Sequence, residues 1–137
     1  MRRWSRIHAI AYRLTRGRVG SRLVANDMLL VTTTGHVSGD EHTVPLLFLR
    51  DGSRLVIIAS YGGRSDHPAW YHNLVADPAV TVQIGGKRHP MVARTADPEE
   101  RATWWPKVVA AYEGYAEYQS RTDREIPIVF LEPRDES

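Results

Sequence analysis

Hydrophobic and polar positions along the chain follow two different periods, and the switches between them mark out its elements. Trp4, Ile7, Ala11 and Leu14 recur at three-to-four spacing, which predicts an amphipathic helix over 3–15, broken by Gly17 and Gly20. Met28 to Thr34 is a continuous apolar and β-branched run, which reads as a buried strand. Gly35 to His42 reads as a loop. Residues 43–50 and 54–60 read as two strands joined at Asp51-Gly52, a favoured hairpin turn. The run HPAWYHNLVADPAVTV at 67–82 holds a helix start, a helix stop and a strand start. Pro68 suits the first turn of a helix over 68–76, and Asp77-Pro78 ends it, because the residue before proline is pushed out of the α region. Val80, Val82 and Ile84 then alternate with polar residues in a strand at 79–84. Gly85-Gly86 turns the chain into a partner strand at 87–95, where Pro90 predicts an edge or a bulge. Asp97-Pro98-Glu99-Glu100 supplies a cap, a proline and first-turn acids for a helix running toward Tyr112, kinked at Pro106. A short helix over 114–121 and a strand from Ile126 to Leu131 complete the pattern.

Six strands joined mostly as hairpins imply antiparallel pairing. With three or four helices beside them, the expected class is mainly β with flanking helices (α+β). A small closed or partly open barrel fits better than a doubly wound parallel sheet. No repeat or linker divides residues 1–137, so one domain is expected, with residues 1–22 as a basic amphipathic N-terminal segment.

Composition narrows the chemistry. Apolar residues make up 42%, and cysteine is absent, so disulfides, thiolate metal sites and a cysteine nucleophile are excluded. No apolar run reaches the roughly 18–20 residues that span a bilayer. A secretory signal is not expected, because Arg and His interrupt the N-terminal apolar positions; the expected location is cytoplasmic. Seven arginines (2, 3, 6, 13, 16, 18 and 22) precede the first acidic residue, Asp27. Such a basic end favours a polyanion, such as an acidic membrane surface on its inner face or an anionic cofactor tail. Aromatics are not interleaved with these arginines as stacking on nucleic acid would need, so nucleic acid is not an expected partner.

Hydrolytic chemistry has little support. No G-x-S-x-G elbow occurs, although Ser60 sits at a strand end where its hydroxyl could meet a ligand. His67 and His72, five apart, would diverge by roughly 140° on a helix. His36, Asp40, Glu41 and His42 share a loop that reads better as a solvated turn than as a metal site, and no metal is expected. Phosphate-loop patterns are absent; Gly62-Gly63 is either a close approach to a ligand or a plain turn. Aromatic residues are the better lead. Trp70-Tyr71 either closes over a flat ligand or anchors the core. Tyr112, Tyr115 and Tyr118, three apart, would spread over roughly 120° of one helix face, with Trp104 and Trp105 a turn or two earlier. They offer rings for stacking and phenols for hydrogen bonds, or else they cover a barrel end.

LLVTTTG at 29–35, TVPLLFLRDG at 43–52, HPAWYHNLVADPAVTVQIGG at 67–86 and YEGYAEYQSRTDREIPIVFLEP at 112–133 together resemble the deazaflavin-dependent nitroreductase family. The resemblance covers about residues 20–133. It implies a split antiparallel β-barrel of the FMN-binding kind, similar to the flavin-reductase and pyridoxamine-oxidase barrels. It implies an oxidoreductase that moves a hydride from reduced deazaflavin coenzyme F-420 to an electron-poor small-molecule acceptor: a quinone, an enone or a nitroaromatic. By the same resemblance, Ser60, Tyr112, Tyr115 and Tyr118 belong to the acceptor side, where a phenol or solvent completes the reduction with a proton. Positions matching the cofactor-holding blocks are His36, Val37, Ser38, Gly39, Pro45, Ala59, Ser60, Tyr61, Gly62, Trp70 and Asn73. Split barrels often pair, so a homodimer is a further expectation. The rival readings are a non-enzymatic carrier of a lipid or quinone near a membrane, and a flavin or haem binder on the same barrel.

One departure stands out. The family usually has Arg-Lys between TTTG and Ser-Gly, where this chain has His36-Val37. A lysine often found before the glycine pair is Tyr61 here. Each lost charge-assisted hydrogen bond is worth about 1.5–3 kcal/mol, roughly ten- to a hundredfold in affinity. Arg64, His42 and the N-terminal arginines are the candidates to replace that charge.

Overall fold

A computed structural model describes residues 28–134; the helix expected at 3–15 and the basic segment 1–22 lie outside the described residues. Among the described residues no helix is long and apolar enough to cross a membrane. Met28–Thr34 forms β1, Glu41–Leu47 β2, Leu49–Asp51 β3 and Arg54–Ile58 β4. Helix α1 is Ala69–Ala76, followed by the hairpin of β5, Ala79–Ile84, and β6, Lys87–Thr95. Helices α2, Pro98–Ala111, and α3, Gly114–Ser120, precede β7, Ile128–Pro133. The strands form one sheet in the order β2-β1-β5-β6-β7-β4-β3, with every neighbouring pair antiparallel. This is the mainly β, split-barrel architecture that the hairpin pattern and the resemblance predict.

The single strand expected at 43–50 is two strands. β2 pairs with β1 (Val31 opposite Val44), and β3 pairs with β4 (Leu49 opposite Val56). These are the two outer strands of the sheet, and only Phe48 separates them along the chain. The sheet therefore has to curl until its edges approach each other. Phe48 is 1% exposed at that corner. A run of apolar residues carries no local mark of such a bend, which is why the pattern reads as one strand.

Side-chain alternation divides the core. Leu55 and Ile57 of β4, with Val129 and Leu131 of β7, join Val31, Val80, Val82, Phe48 and α1 residues Trp70 and Leu74 in one cluster on the inward face. Val56 and Ile58, with Ile128 and Phe130, join Val108 of α2 and Tyr115 of α3 in a second cluster on the outward face. β4 and β7 are thus buried on both faces, and their sequences, RLVII and IVFLEP, carry the matching apolar runs.

Prolines set several boundaries differently from expectation. Pro68 is the extended N-cap residue of α1 and not its first helical residue. Pro90 lies in an interior strand, opposite Thr81 in a continuous register. It is tolerated there because pairing with β7 begins only at Met91, and its carbonyl accepts from Arg134 N at 3.0 Å. The last strand starts at Ile128 because Pro127 has no N–H to give; Ile126 N instead donates to Gln119 Oε1 (2.9 Å). The loop after β1 ends at Asp40, since Glu41 and His42 already pair with Thr34 and Thr33.

The start of α2 follows its sequence signal. Asp97 accepts from Glu100 N (2.8 Å), and Glu100 Oε1 accepts from Asp97 N (2.9 Å), a reciprocal capping box. Arg94 adds two bonds to Glu100 at 2.8 and 3.1 Å. The Arg94 bond first, then the Asp97 amide, pull the Glu100 carboxyl down to about 2 from an ordinary 4.5.

Two outcomes follow. Phe48→Ala should cost about 3–5 kcal/mol, the worth of a buried aromatic plus the cavity it leaves, read from the urea midpoint. Because the folded-state pKa of Glu100 is depressed, its stabilisation is complete above pH 4.5 and is lost as pH falls toward about 2. Glu100→Gln should flatten the stability loss in that window when urea midpoints are measured across pH; an unchanged acid limb would refute the assignment.

Candidate functional site

Two clefts meet at one side chain. A cleft of about 370 Å³ is lined by Pro45 and Leu47 at the end of β2, by Ser60, Tyr61 and Gly62, and by Trp70, Tyr112, Tyr115 and Tyr118. A neighbouring cleft of about 300 Å³ lies between the β1–β2 loop and α1, lined by His36, Val37, Ser38, His42, Trp70 and Asn73. Trp70 lines both. It is also 8% exposed and packed in the inward core cluster, so it is a core anchor and a cleft wall at once.

The structure thus brings together most of the residues singled out from sequence, drawn from four separate chain segments. Two are exceptions. Ala59 is fully buried, with its side chain in the core, and Gly39 lines neither cleft. Gly39 instead shapes the loop: its φ is +81°, and its N–H donates to Gly35 O at 2.9 Å. Trp104 and Trp105 lie away from both clefts; Trp104 packs edge-on to Phe130, and Arg101 stacks on Trp105.

The tyrosines do not share one helix. Tyr112 is the extended C-cap of α2, while Tyr115 and Tyr118 lie on α3. Gly114 permits the break, since a Cβ there would fall 2.8 Å from the Tyr112 ring. The rings still gather edge-to-face, at 5.1 Å between Tyr112 and Tyr115 and 6.2 Å between Tyr115 and Tyr118. Burial pushes the Tyr115 phenol up, and hydrogen bonding with Tyr112 raises Tyr118. Both phenols stay protonated at neutral pH and present O–H donors.

Asn73 organises the second cleft. It is 4% exposed and ties α1 to the loop after β1. Its Oδ1 accepts from His36 N (3.0 Å) and lies 2.7 Å from His36 Nδ1, while its Nδ2 donates to Thr33 Oγ1 (3.1 Å). Because that oxygen only accepts, His36 Nδ1 carries the proton and Nε2 is left for other partners. Among the lining residues only His36 and His42 can carry positive charge. Val37, at the loop tip, is 88% exposed. Arg64 does not reach this cleft; its guanidinium stacks on the Tyr61 ring at 4.7 Å.

The histidines also differ from expectation. His67 precedes α1, so the helical divergence from His72 does not apply; their rings are 5.7 Å apart, with His36 5.9 Å from His72. Among the described residues no three His, Asp or Glu side chains gather to hold a metal ion. His42, one of the candidates to replace the missing charge, does line the cleft, while sequence reasoning missed Leu47 and Arg124. Arg124 bonds to main-chain atoms some sixty residues away, a relation with no local signal.

Comparison with known proteins points to one family. The family model described as F420H(2)-dependent quinone reductase matches residues 4–133. A protein of Mycobacterium tuberculosis bearing that description is 40% identical over 133 residues, covering 94% of this chain and 89% of its own length. A solved F-420-dependent reductase, FDR-A, is 45% identical with a TM-score of 0.69, over 77% of this chain and 93% of its own. A further solved structure, described as a domain-swapped dimer, is 40% identical with a TM-score of 0.71, over 96% and 98%.

Asn73→Ala would leave the His36 amide without its acceptor. It should cost about 1–3 kcal/mol, the penalty for an unsatisfied buried polar group, and should speed amide exchange at His36. Asn73→Asp keeps an acceptor for His36 and should restore most of that protection; equal exchange in both variants would count against this role.

Proposed function

The chain belongs to the F420H(2)-dependent quinone reductase family, and from that premise we propose that the two clefts at Trp70 hold reduced coenzyme F-420 and its acceptor. The family is one of oxidoreductases that use this deazaflavin. What supports the assignment of the site is the convergence of Ser60, Trp70 and three tyrosines on a single cleft that continues, past Trp70, into the His36 loop.

In this reading Trp70, Pro45 and the Ser60–Gly62 turn flank the flat ring. The His36–Gly39 loop takes the anionic tail, with His36 oriented by Asn73. Bound F-420 in its reduced form supplies a hydride equivalent to a quinone; enones and nitroaromatics are further acceptors of the same electron-poor class. The protein supplies orientation and proton management. Tyr112, Tyr115 and Tyr118 close the acceptor side. Their phenols can donate hydrogen bonds to an oxygen gaining charge and pass it a proton. The N-terminal arginines are proposed to meet an acidic membrane surface at the cytoplasmic face, and the chain to form a homodimer, as the domain-swapped relative does.

The replacement of the usual Arg-Lys pair by His36-Val37 makes tail affinity the sensitive quantity. Equilibrium titration with oxidised F-420, followed by turnover of the reduced form with a soluble naphthoquinone, tests the reading. Binding in the micromolar range is expected; none at tens of micromolar would sink it. A His36→Arg, Val37→Lys variant should bind roughly ten- to a hundredfold more tightly. A purified protein carrying lipid, with no response to F-420, would favour the carrier reading, and one carrying haem or flavin would favour the flavin or haem binder.

A further inference from the structure

Arg124 follows α3 in the chain, yet its hydrogen bonds go to the other side of the larger cleft. Nε donates to Arg64 O (2.8 Å), Nη1 to Ala59 O (3.2 Å) and Nη2 to Ser60 O (2.7 Å). Nη1 also lies 2.9 Å from His67 Nδ1. A guanidinium has donors only, so His67 Nδ1 must accept, and the ring is neutral with its proton on Nε2. Burial first, then the Arg124 charge, lower the His67 pKa in the same sense. His67 thus has the opposite tautomer to His36, whose Nδ1 is the protonated nitrogen.

We propose that Arg124 is a positioning residue for quinone reduction, holding the Ser60–Arg64 turn and the His67 tautomer in register. This rests on the reading of the cleft as the reductase site. The turn needs an outside brace. Tyr61 sits at a φ of +48°, a region non-glycine residues avoid. Gly63, at +81°, is packed so closely on α3 that a Cβ would fall 2.5 Å from Tyr118 O. Within the turn, Gly63 N donates to Ser60 O (2.8 Å) and Arg64 N to Tyr61 O (3.1 Å). Arg124 joins the carbonyls on both sides of this turn through one planar fork. Ser60 and Tyr61 are thereby kept facing the tyrosines across the cleft. Lysine, a point charge without that fork, cannot make the same set of bonds.

The test uses Arg124→Lys and Arg124→Gln in the full chain, assayed with reduced F-420 and a quinone. Both should lose on order of a hundredfold in kcat/KM, as expected when reacting groups are displaced by about an ångström. Both should melt within several degrees of the parent, and amide exchange at Gly63 and Arg64 should rise. Parental kcat and KM in the lysine variant would overturn the proposal, since charge alone would then suffice. Should neither variant fold, imidazole nitrogen NMR on the unaltered protein decides. His67 with a bare Nδ1 and a protonated Nε2, protonating only below the range of an ordinary imidazole, is expected, and ordinary imidazole titration there would overturn it. An unaltered protein that neither binds F-420 nor turns over quinone defeats the reductase reading instead, and the same NMR result still settles the Arg124–His67 bond.

Discussion

The structure depends on one covalent constraint: a single residue, Phe48, joins the two outermost strands of the sheet. β2 ends at Leu47 and β3 begins at Leu49, yet they occupy opposite edges of a seven-strand order. No flat or gently twisted sheet can satisfy that connection. The curl it imposes gives the sheet an inward face, which the alternating residues of five strands fill together with Trp70 and Leu74. It also leaves β4 and β7 needing cover on their outer face, which α2 and α3 provide through Val108 and Tyr115.

The clefts are by-products of that closure. α1 contributes to the inward core, so the aromatic that anchors it also forms the wall between the two openings. The same helix fixes the loop after β1 through Asn73. Meanwhile α3, needed on the outer face, brings its tyrosines to the mouth opposite Ser60. Stability and site geometry therefore share side chains, which is why the aromatic residues could not be sorted into core or ligand roles from spacing alone.

Local signals were legible and long-range ones were not. The capping box at Asp97 and Glu100 and the turn at Gly85-Gly86 are decided within four residues, and each formed where it was expected, while the turn expected at Asp51-Gly52 falls one residue later, at Gly52-Ser53, because Asp51 still pairs with Arg54. The Phe48 corner was not visible, because closure and not the neighbouring residues bends the chain there. The break between a helix running toward Tyr112 and one over 114–121 is legible, but it means that the spread of three tyrosines over one helix face does not apply: Tyr112 caps the first helix, and Tyr115 and Tyr118 lie on the second. Most of the candidate site came from a family resemblance that marked residue positions; their meeting at Trp70 needed the fold. Ala59 sits in a matching block with its side chain in the core, and its carbonyl accepts from Arg124.

Tyr61 stands where a glycine or asparagine would be more comfortable. A positive φ costs an ordinary L-residue roughly 1–2 kcal/mol, and glycine would avoid that penalty. The chain nevertheless carries a large ring there, stacked under Arg64 and facing the cleft. Selection for thermostability alone would push this position toward a smaller residue. Thermostabilised descendants of this chain, if chosen without regard to turnover, would be drawn to change this position among the first.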